Sequence, residues 1–120
     1  MNNWTIIKAD TYPGHKEKKF GKKHRNLVFN LFENLQKYFE LLEEGEHPEQ
    51  LKRYLSFVHD EKRGLYAIDQ RPPVKGFQLR LYIYPDISNQ NLHILIVGDK
   101  NSQKDDIKLA QKAIKELQNG

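Results

Sequence analysis

The densest cluster of positive charge lies between His15 and Arg25, in the stretch HKEKKFGKKHR. It holds five lysines and one arginine against one glutamate, so it carries +5 in a chain whose net charge is +4. Closely spaced cations favour contact with the phosphates of nucleic acids. The candidate RNA-binding residues are Lys18, Lys19, Lys22, Lys23 and Arg25. The alternative interpretation is a solvated charged loop with no ligand.

A second group of candidate residues lies in the stretch FQLRLYIY, at 77–84. Its residues alternate in polarity, so Gln78, Arg80 and Tyr82 share one face of a predicted strand. An arginine flanked by aromatic rings on an open sheet could hold a phosphate beside stacked bases. Lys100 follows the last predicted strand and is expected to face the same groove. Ordinary exposed residues on a half-buried sheet are the alternative.

These residues must be positioned by one domain, because 120 residues provide a single modest core. We predict the element order β-α-α-β-β-β-α for a domain spanning 1–120, with the basic segment as a loop. A 3,4 spacing of apolar residues from about Asn26 predicts the long helix, and Pro48 begins a short second one. We expect an antiparallel sheet with the helices packed on one face, which is an α+β fold. The remaining predicted elements are strands at 4–10, 65–70, 77–84 and 92–97 and a closing helix after a capping box at Ser102 and Asp105.

Composition excludes several classes of protein. Mean hydropathy is −0.83, and no apolar stretch approaches the ~20 residues that span a bilayer. No signal peptide opens the sequence, so the expected location is the cytoplasm. The chain has no cysteine, and its five histidines show no metal-ligand spacing. We therefore expect no metal, no small-molecule cofactor and no membrane partner.

Four stretches in this order suggest a family. They are YFELLEEGEHPEQLKR, GLYAID, LRLYIYPD and ILIVGDKNSQKDDIKLAQKAI. Over roughly residues 4–117 the chain resembles the RelE/ParE superfamily of toxins from type II toxin–antitoxin systems. The resemblance implies a cognate antitoxin as partner and, for the ribonuclease members, cleavage of mRNA without a metal, usually on the ribosome. In that chemistry the ribose 2′-OH attacks the adjacent phosphate, and cations stabilise the developing charge.

The resemblance assigns roles to two cations. Arg80 matches the strand arginine that binds the phosphate, and Lys100 matches the basic residue just after the last strand. The sequence departs from the family at other positions, since Ala67 and Asp69 stand where ribonuclease members have basic residues. Asp69 is then a candidate base, with Tyr82 or His93 as the acid or stacking group.

The leading hypothesis is therefore a toxin that acts as a metal-independent mRNA endoribonuclease in association with the ribosome. The alternative is a non-catalytic protein of the same fold, which would be a degenerate toxin, a gyrase poison or a basic nucleic-acid binder. His93, on an apolar strand, is interpreted as a core histidine rather than a catalytic one.

Overall fold

The computed structural model of the chain describes residues 3–72, 74 and 76–120. The predicted turn at 71–76 therefore lies partly outside the described residues. The elements follow in this order: β1 (Thr5–Lys8), α1 (Gly14–Lys23), α2 (Arg25–Glu43), α3 (Pro48–Tyr54), β2 (Val58–Asp60), β3 (Tyr66–Asp69), β4 (Leu79–Asp86), β5 (Asn91–Asp99), a 3₁₀ turn (Lys100–Ser102) and α4 (Gln103–Asn119).

The sheet has five strands in the order β1-β5-β4-β3-β2. Strands β3, β4 and β5 form the predicted antiparallel meander, and β2 adds a short antiparallel edge that the sequence did not predict. The expected all-antiparallel sheet is wrong, because β1 pairs with β5 in parallel. The fold class is α+β, as predicted.

Helices cover both faces of the sheet. Helices α1, α2 and α3 pack on the face that carries Leu81 and Ile83, whereas α4 packs on the face that carries Tyr82 and Leu95. The prediction that all helices lie on one face is wrong. Its physical reason is that β5 is apolar on both faces and Tyr82 of β4 is buried on the second face, so each face needs its own cover.

The two central helices form where their patterns predicted them. Residues of α2 three or four positions apart are buried against the sheet: Leu27, Leu31, Leu35, Tyr38 and Leu42. The helix ends before Gly45, whose φ of 97° suits glycine. Helix α3 begins at Pro48 and is capped by His47, whose Nδ1 accepts a hydrogen bond from the main-chain N–H of Glu49 at 3.1 Å.

The basic segment is a helix rather than the predicted loop. Helix α1 runs from Gly14 to Lys23, and Phe20 anchors it against the core. Lys22 and Lys23 therefore lie in the last turn of α1, where the helix dipole favours a positive charge.

The start of the closing helix also differs from the prediction. Ser102 and Asp105 form no capping box. Instead, the Asp99 side chain accepts from the main-chain N–H of Ser102 at 3.2 Å and so caps the 3₁₀ turn. No helix in the described part of the chain is long and apolar enough to cross a bilayer.

Candidate functional site

Buried polar side chains concentrate at one end of the sheet. Within the described residues, the buried polar or charged side chains are Asn34, Asp69, Gln70, His93 and Asp106. All except His93 make contacts near the end where β4 begins and β5 ends. Because buried polar groups require compensating partners, such a cluster fixes the local backbone strongly. We call this end of the sheet, together with α1, the basic end.

Two of these amides hold the connection between β3 and β4. Asn34 Nδ2 donates to the carbonyl oxygen of Arg71 at 3.2 Å, where the connection begins. Gln70 Nε2 donates to the carbonyl oxygen of Phe77 at 3.1 Å, where it ends. The Gln70 side-chain oxygen also accepts from the main-chain N–H of Leu79. Both ends of the connection are thus attached to the core.

Asp69 is fully buried and surrounded by donors. Its carboxylate accepts from Gln78 Nε2 at 3.1 Å and from the main-chain N–H of Arg71 at 3.1 Å. His59 Nε2 lies 2.6 Å from the same carboxylate, and Arg71 Nε lies 3.4 Å from it. The predicted candidate base is therefore held in a hydrogen-bonded network with two partly exposed neighbours, His59 and Arg71, whose side chains are 30% and 38% exposed.

Asp106 joins α4 to the rest of the basic end. Its side chain is 2% exposed, and it accepts from Ser102 Oγ at 2.6 Å. Lys16 Nζ of α1 lies 3.6 Å from the same carboxylate. The carboxylate packs directly on Gly98 of β5, where there is no room for a side chain. Helix α1, strand β5 and helix α4 therefore meet at one buried charge.

A pocket of about 230 Å³ opens at the basic end, between the start of β4 and the turn after β5. Phe77 lines the pocket, and its ring contacts His24, with 3.9 Å between ring centroids, and Phe20 of α1 at 6.1 Å. The pocket therefore lies beside α1. Among the residues that line it are Phe77, Gln78, Asp99, Lys100 and Asn101.

Helix α1 carries a cationic stripe on its outer face. The stripe consists of residues three or four positions apart, which lie on one side of a helix: His15, Lys18, Lys19, Lys22 and Lys23. A surface groove of about 290 Å³ runs among these five side chains. At 100° per residue, Phe20 lies outside this stripe, about 130° from its centre, and it packs against the core. The spacing itself was the sequence signal for this helix, which the loop prediction overlooked. Arg25 lies exposed in the first turn of α2.

Arg80 and Tyr82 are not on an open surface. The side chains of Arg80 and Glu61 are each 16% exposed and lie 3.7 Å apart as an ion pair. Tyr82 is fully buried beneath α4, burial raises the pKa of its hydroxyl, and the hydroxyl has no hydrogen-bond partner among the described residues. The predicted open face is therefore wrong. Register places Arg80 opposite Gly98, two residues before Lys100.

The remaining candidates lie elsewhere. His93 is buried near the start of β5, its ring stacks on Tyr84 at 5.7 Å, and burial lowers its pKa. Ala67 is buried in the layer beneath α4. Within the described residues, no group of His, Cys, Asp and Glu side chains could hold a metal ion.

The structure thus brings Gln78 and Lys100 together, and with them Phe77, Asp99 and Asn101, which sequence reasoning did not select. Tyr82 and His93 are not among the residues that line this pocket. The basic end has cations on its outer surface, an aromatic residue in the pocket wall and a carboxylate beside that residue. This combination suits a ligand with both charged parts and flat polar parts. Comparison with known protein families, with characterised proteins and with solved structures finds no match for this chain.

Proposed function

We propose that this protein binds single-stranded RNA at its basic end. The observation that carries the proposal is the cationic stripe of α1, a stripe of four lysines and a histidine that faces away from the core. Such a stripe tracks a phosphate backbone because each lysine can neutralise one phosphate and release a counterion. The exposed Lys100 adds a further cation at the pocket.

The adjoining pocket favours a single strand over a duplex. Bases of a single strand are free to leave the stack and contact aromatic rings, and Phe77 supplies such a ring beside the stripe. The resemblance to the RelE/ParE superfamily supports RNA rather than DNA.

Salt-dependent binding tests this proposal. Fluorescence anisotropy would measure the affinity for a labelled single-stranded RNA over a range of KCl concentrations. The variant carries glutamine at Lys18, Lys19, Lys22 and Lys23. Each lost phosphate contact lowers the slope of log affinity against log salt by about 0.7 for single strands, so we expect the slope to fall by about 3.

A matched control removes the same charge elsewhere. Glutamine at four exposed lysines of α2 and α4 gives a variant with the same net charge as the first: Lys37, Lys108, Lys112 and Lys115. It should keep the wild-type slope. Equal slopes for both variants would mean that RNA binding follows overall charge, and the proposal would be wrong.

A second candidate function is mRNA cleavage as a toxin. The observation that favours it is the contact of 2.6 Å between His59 Nε2 and the buried Asp69 carboxylate. A histidine oriented by a buried carboxylate is a common general acid–base pair. In this proposal His59 takes the proton of the attacking ribose 2′-OH, the 2′ oxygen bonds to phosphorus as the P–O5′ bond breaks, and a water molecule protonates the leaving 5′ oxygen. Arg80 and Lys100 stabilise the phosphate charge. A partner antitoxin would cover the basic end.

Controlled induction in a bacterial host tests the second candidate. Growth would be compared for the wild type, for His59→Ala and for an Arg80→Ala, Lys100→Ala double variant, with circular dichroism to show that each is folded. Arrest by the wild type alone, with new 5′ ends in its mRNA, is the result expected of a nuclease. Arrest by all three would point to a binding mechanism, and arrest by none would remove the toxin proposal.

A further inference from the structure

We infer that the pocket at the basic end binds one unpaired nucleobase and prefers a base with an exocyclic amino group over uracil. This inference rests on the proposed RNA binding and adds the base that the protein reads. The preferred bases are cytosine, adenine and guanine, and the selective groups are two hydrogen-bond acceptors, Asp99 Oδ2 and Gln78 Oε1.

The size and walls of the pocket suit a base. Its volume of about 230 Å³ is below the roughly 300–1,000 Å³ of pockets that enclose drug-sized ligands. One base therefore fits, and its sugar and phosphate stay outside. Phe77 offers a ring for stacking, and the contacts of that ring with His24 and Phe20 hold it in place.

Asp99 contributes the first acceptor. Its Oδ1 accepts from the main-chain N–H of Ser102 at 3.2 Å. Its Oδ2 accepts no hydrogen bond from the residues that the structure describes, and Asp99 is one of the residues that line the pocket. A carboxylate repels a phosphate and accepts hydrogen bonds from amino groups. Asp99 therefore favours a base inside the pocket, while the exposed Lys100 is placed to meet the neighbouring phosphate.

Gln78 contributes the second acceptor, and Asp69 decides its orientation. An ionised carboxylate only accepts, so the amide group of Gln78 must direct its NH₂ toward Asp69, at 3.1 Å. This leaves Gln78 Oε1, which accepts no hydrogen bond elsewhere in the described parts of the chain. Because Asp69 is fully buried and held by further donors, the amide cannot flip without leaving a buried charge short of a partner.

The two acceptors, Asp99 Oδ2 and Gln78 Oε1, favour cytosine over uracil. The two bases have nearly the same shape, but cytosine presents an amino group at C4 where uracil presents a carbonyl oxygen. The amino group donates to an acceptor, whereas the carbonyl oxygen faces the acceptor with a like partial charge. Discrimination of this kind follows from leaving a polar group unpaired.

The test compares oligonucleotides that differ at one base. Anisotropy would measure the affinity of the wild type for an octamer of uridines and for the same octamer with one central cytidine. We expect about tenfold tighter binding of the cytidine octamer, the ratio of a single charge-assisted hydrogen bond. An octamer with a central abasic site should bind no better than the uridine octamer.

Two variants test whether the pocket is the surface that recognises the base. Asp99→Asn keeps an oxygen for Ser102 but places an NH₂ in the pocket, so the cytidine preference should fall toward equality. A Lys18→Gln, Lys22→Gln variant of the stripe should weaken binding of both octamers and keep their ratio. Thermal unfolding by circular dichroism would show that both variants are folded.

Each result bears on a separate statement. Equal, salt-dependent binding of all three octamers by the wild type would overturn the base pocket and leave the proposed RNA binding standing. An unchanged cytidine preference in Asp99→Asn would also overturn it, because another surface would then read the base. Failure to bind any octamer would refute both proposals.

Discussion

The contact between Gly98 and Asp106 predicts an unusually large effect for a small substitution. In Gly98→Ala the new methyl group would collide with the Asp106 carboxylate and lie 2.8 Å from Ser102 Oγ. The carboxylate is 2% exposed and packed between β5 and α4. It must therefore move, and its hydrogen bond with Ser102 at 2.6 Å and its ion pair with Lys16 at 3.6 Å are lost.

The magnitude follows from two terms. Overpacking of a tightly packed core costs about 1–3 kcal/mol. Loss of a hydrogen bond to a buried charged group adds about 1.5–3 kcal/mol. We therefore expect Gly98→Ala to lose about 3–5 kcal/mol of unfolding free energy, a large part of the 5–15 kcal/mol that is typical of a domain. The melting temperature should fall by roughly 10–20 °C.

Urea unfolding followed by circular dichroism measures this loss, and a double variant isolates its cause. Asp106→Ala alone should cost about 1–2 kcal/mol, because Ser102 and Lys16 are partly exposed and can bond to water. Asp106→Ala also removes the atoms with which the methyl group collides. The double variant Gly98→Ala, Asp106→Ala should then be more stable than Gly98→Ala alone.

Two results would refute this reasoning. Wild-type stability for Gly98→Ala would show that the carboxylate is not fixed against β5. A double variant less stable than either single variant would show that the methyl group collides with something other than Asp106.

Three further effects are expected. Asp69→Ala leaves buried donors without an acceptor and should cost about 3–5 kcal/mol in urea unfolding; Asp69→Asn, which keeps one oxygen, should cost less. Hydrogen bonds with Lys52 hold the pKa values of Glu49 and Asp60 below their ordinary range. The stability that they provide is present near neutral pH and lost as the pH falls through the lowered pKa values, so the deficit of Lys52→Met at pH 7 should narrow toward pH 2. Burial lowers the pKa of His93 below 6.5, so wild-type stability should fall as the pH drops from 7 through that pKa, and His93→Phe should flatten this decline.

Each of these effects has a control and a contrary result. Equal losses for the alanine and asparagine variants at Asp69 would mean that the acceptor is unimportant. For the acid-dependent effects, Lys115→Met on the exposed side of α4 should show no change of deficit with pH. A Lys52→Met deficit that is constant with pH would contradict the ion-pair explanation, and an unchanged decline in His93→Phe would show that another group titrates.

The elements that the sequence predicted are those whose signals are local. These signals are the apolar spacing of α2, Pro48 at the start of α3 and the strict alternation of β4. Each depends only on residues that lie close together in the sequence. Short connections between β3, β4 and β5 made the antiparallel meander predictable as well. Candidate cations could also be chosen from composition, because charge clustering is visible without a fold.

The sequence predictions that failed depended on which surface is covered. The alternation of β4 marks one face as buried but does not show that a later helix covers the other face, so the position of α4 over Tyr82 was not predictable from β4 alone. For the same reason Tyr82 was assigned to an open face. Helix α1 was missed because its lysines mark an exposed stripe and only Phe20 marks its buried side.

The pocket at the basic end was decided by tertiary structure alone. Asp69 and Gln78 are separated by a connection, and Gly98 and Asp106 by a turn, so no short-range pattern indicates that their side chains touch. The sequence determined β1, the three meander strands, the central helices and the excess of positive charge, because these depend on neighbouring residues. Packing of α1 and α4 against the sheet decided which polar groups are buried and which acceptors face the pocket, because burial depends on residues far apart in the chain.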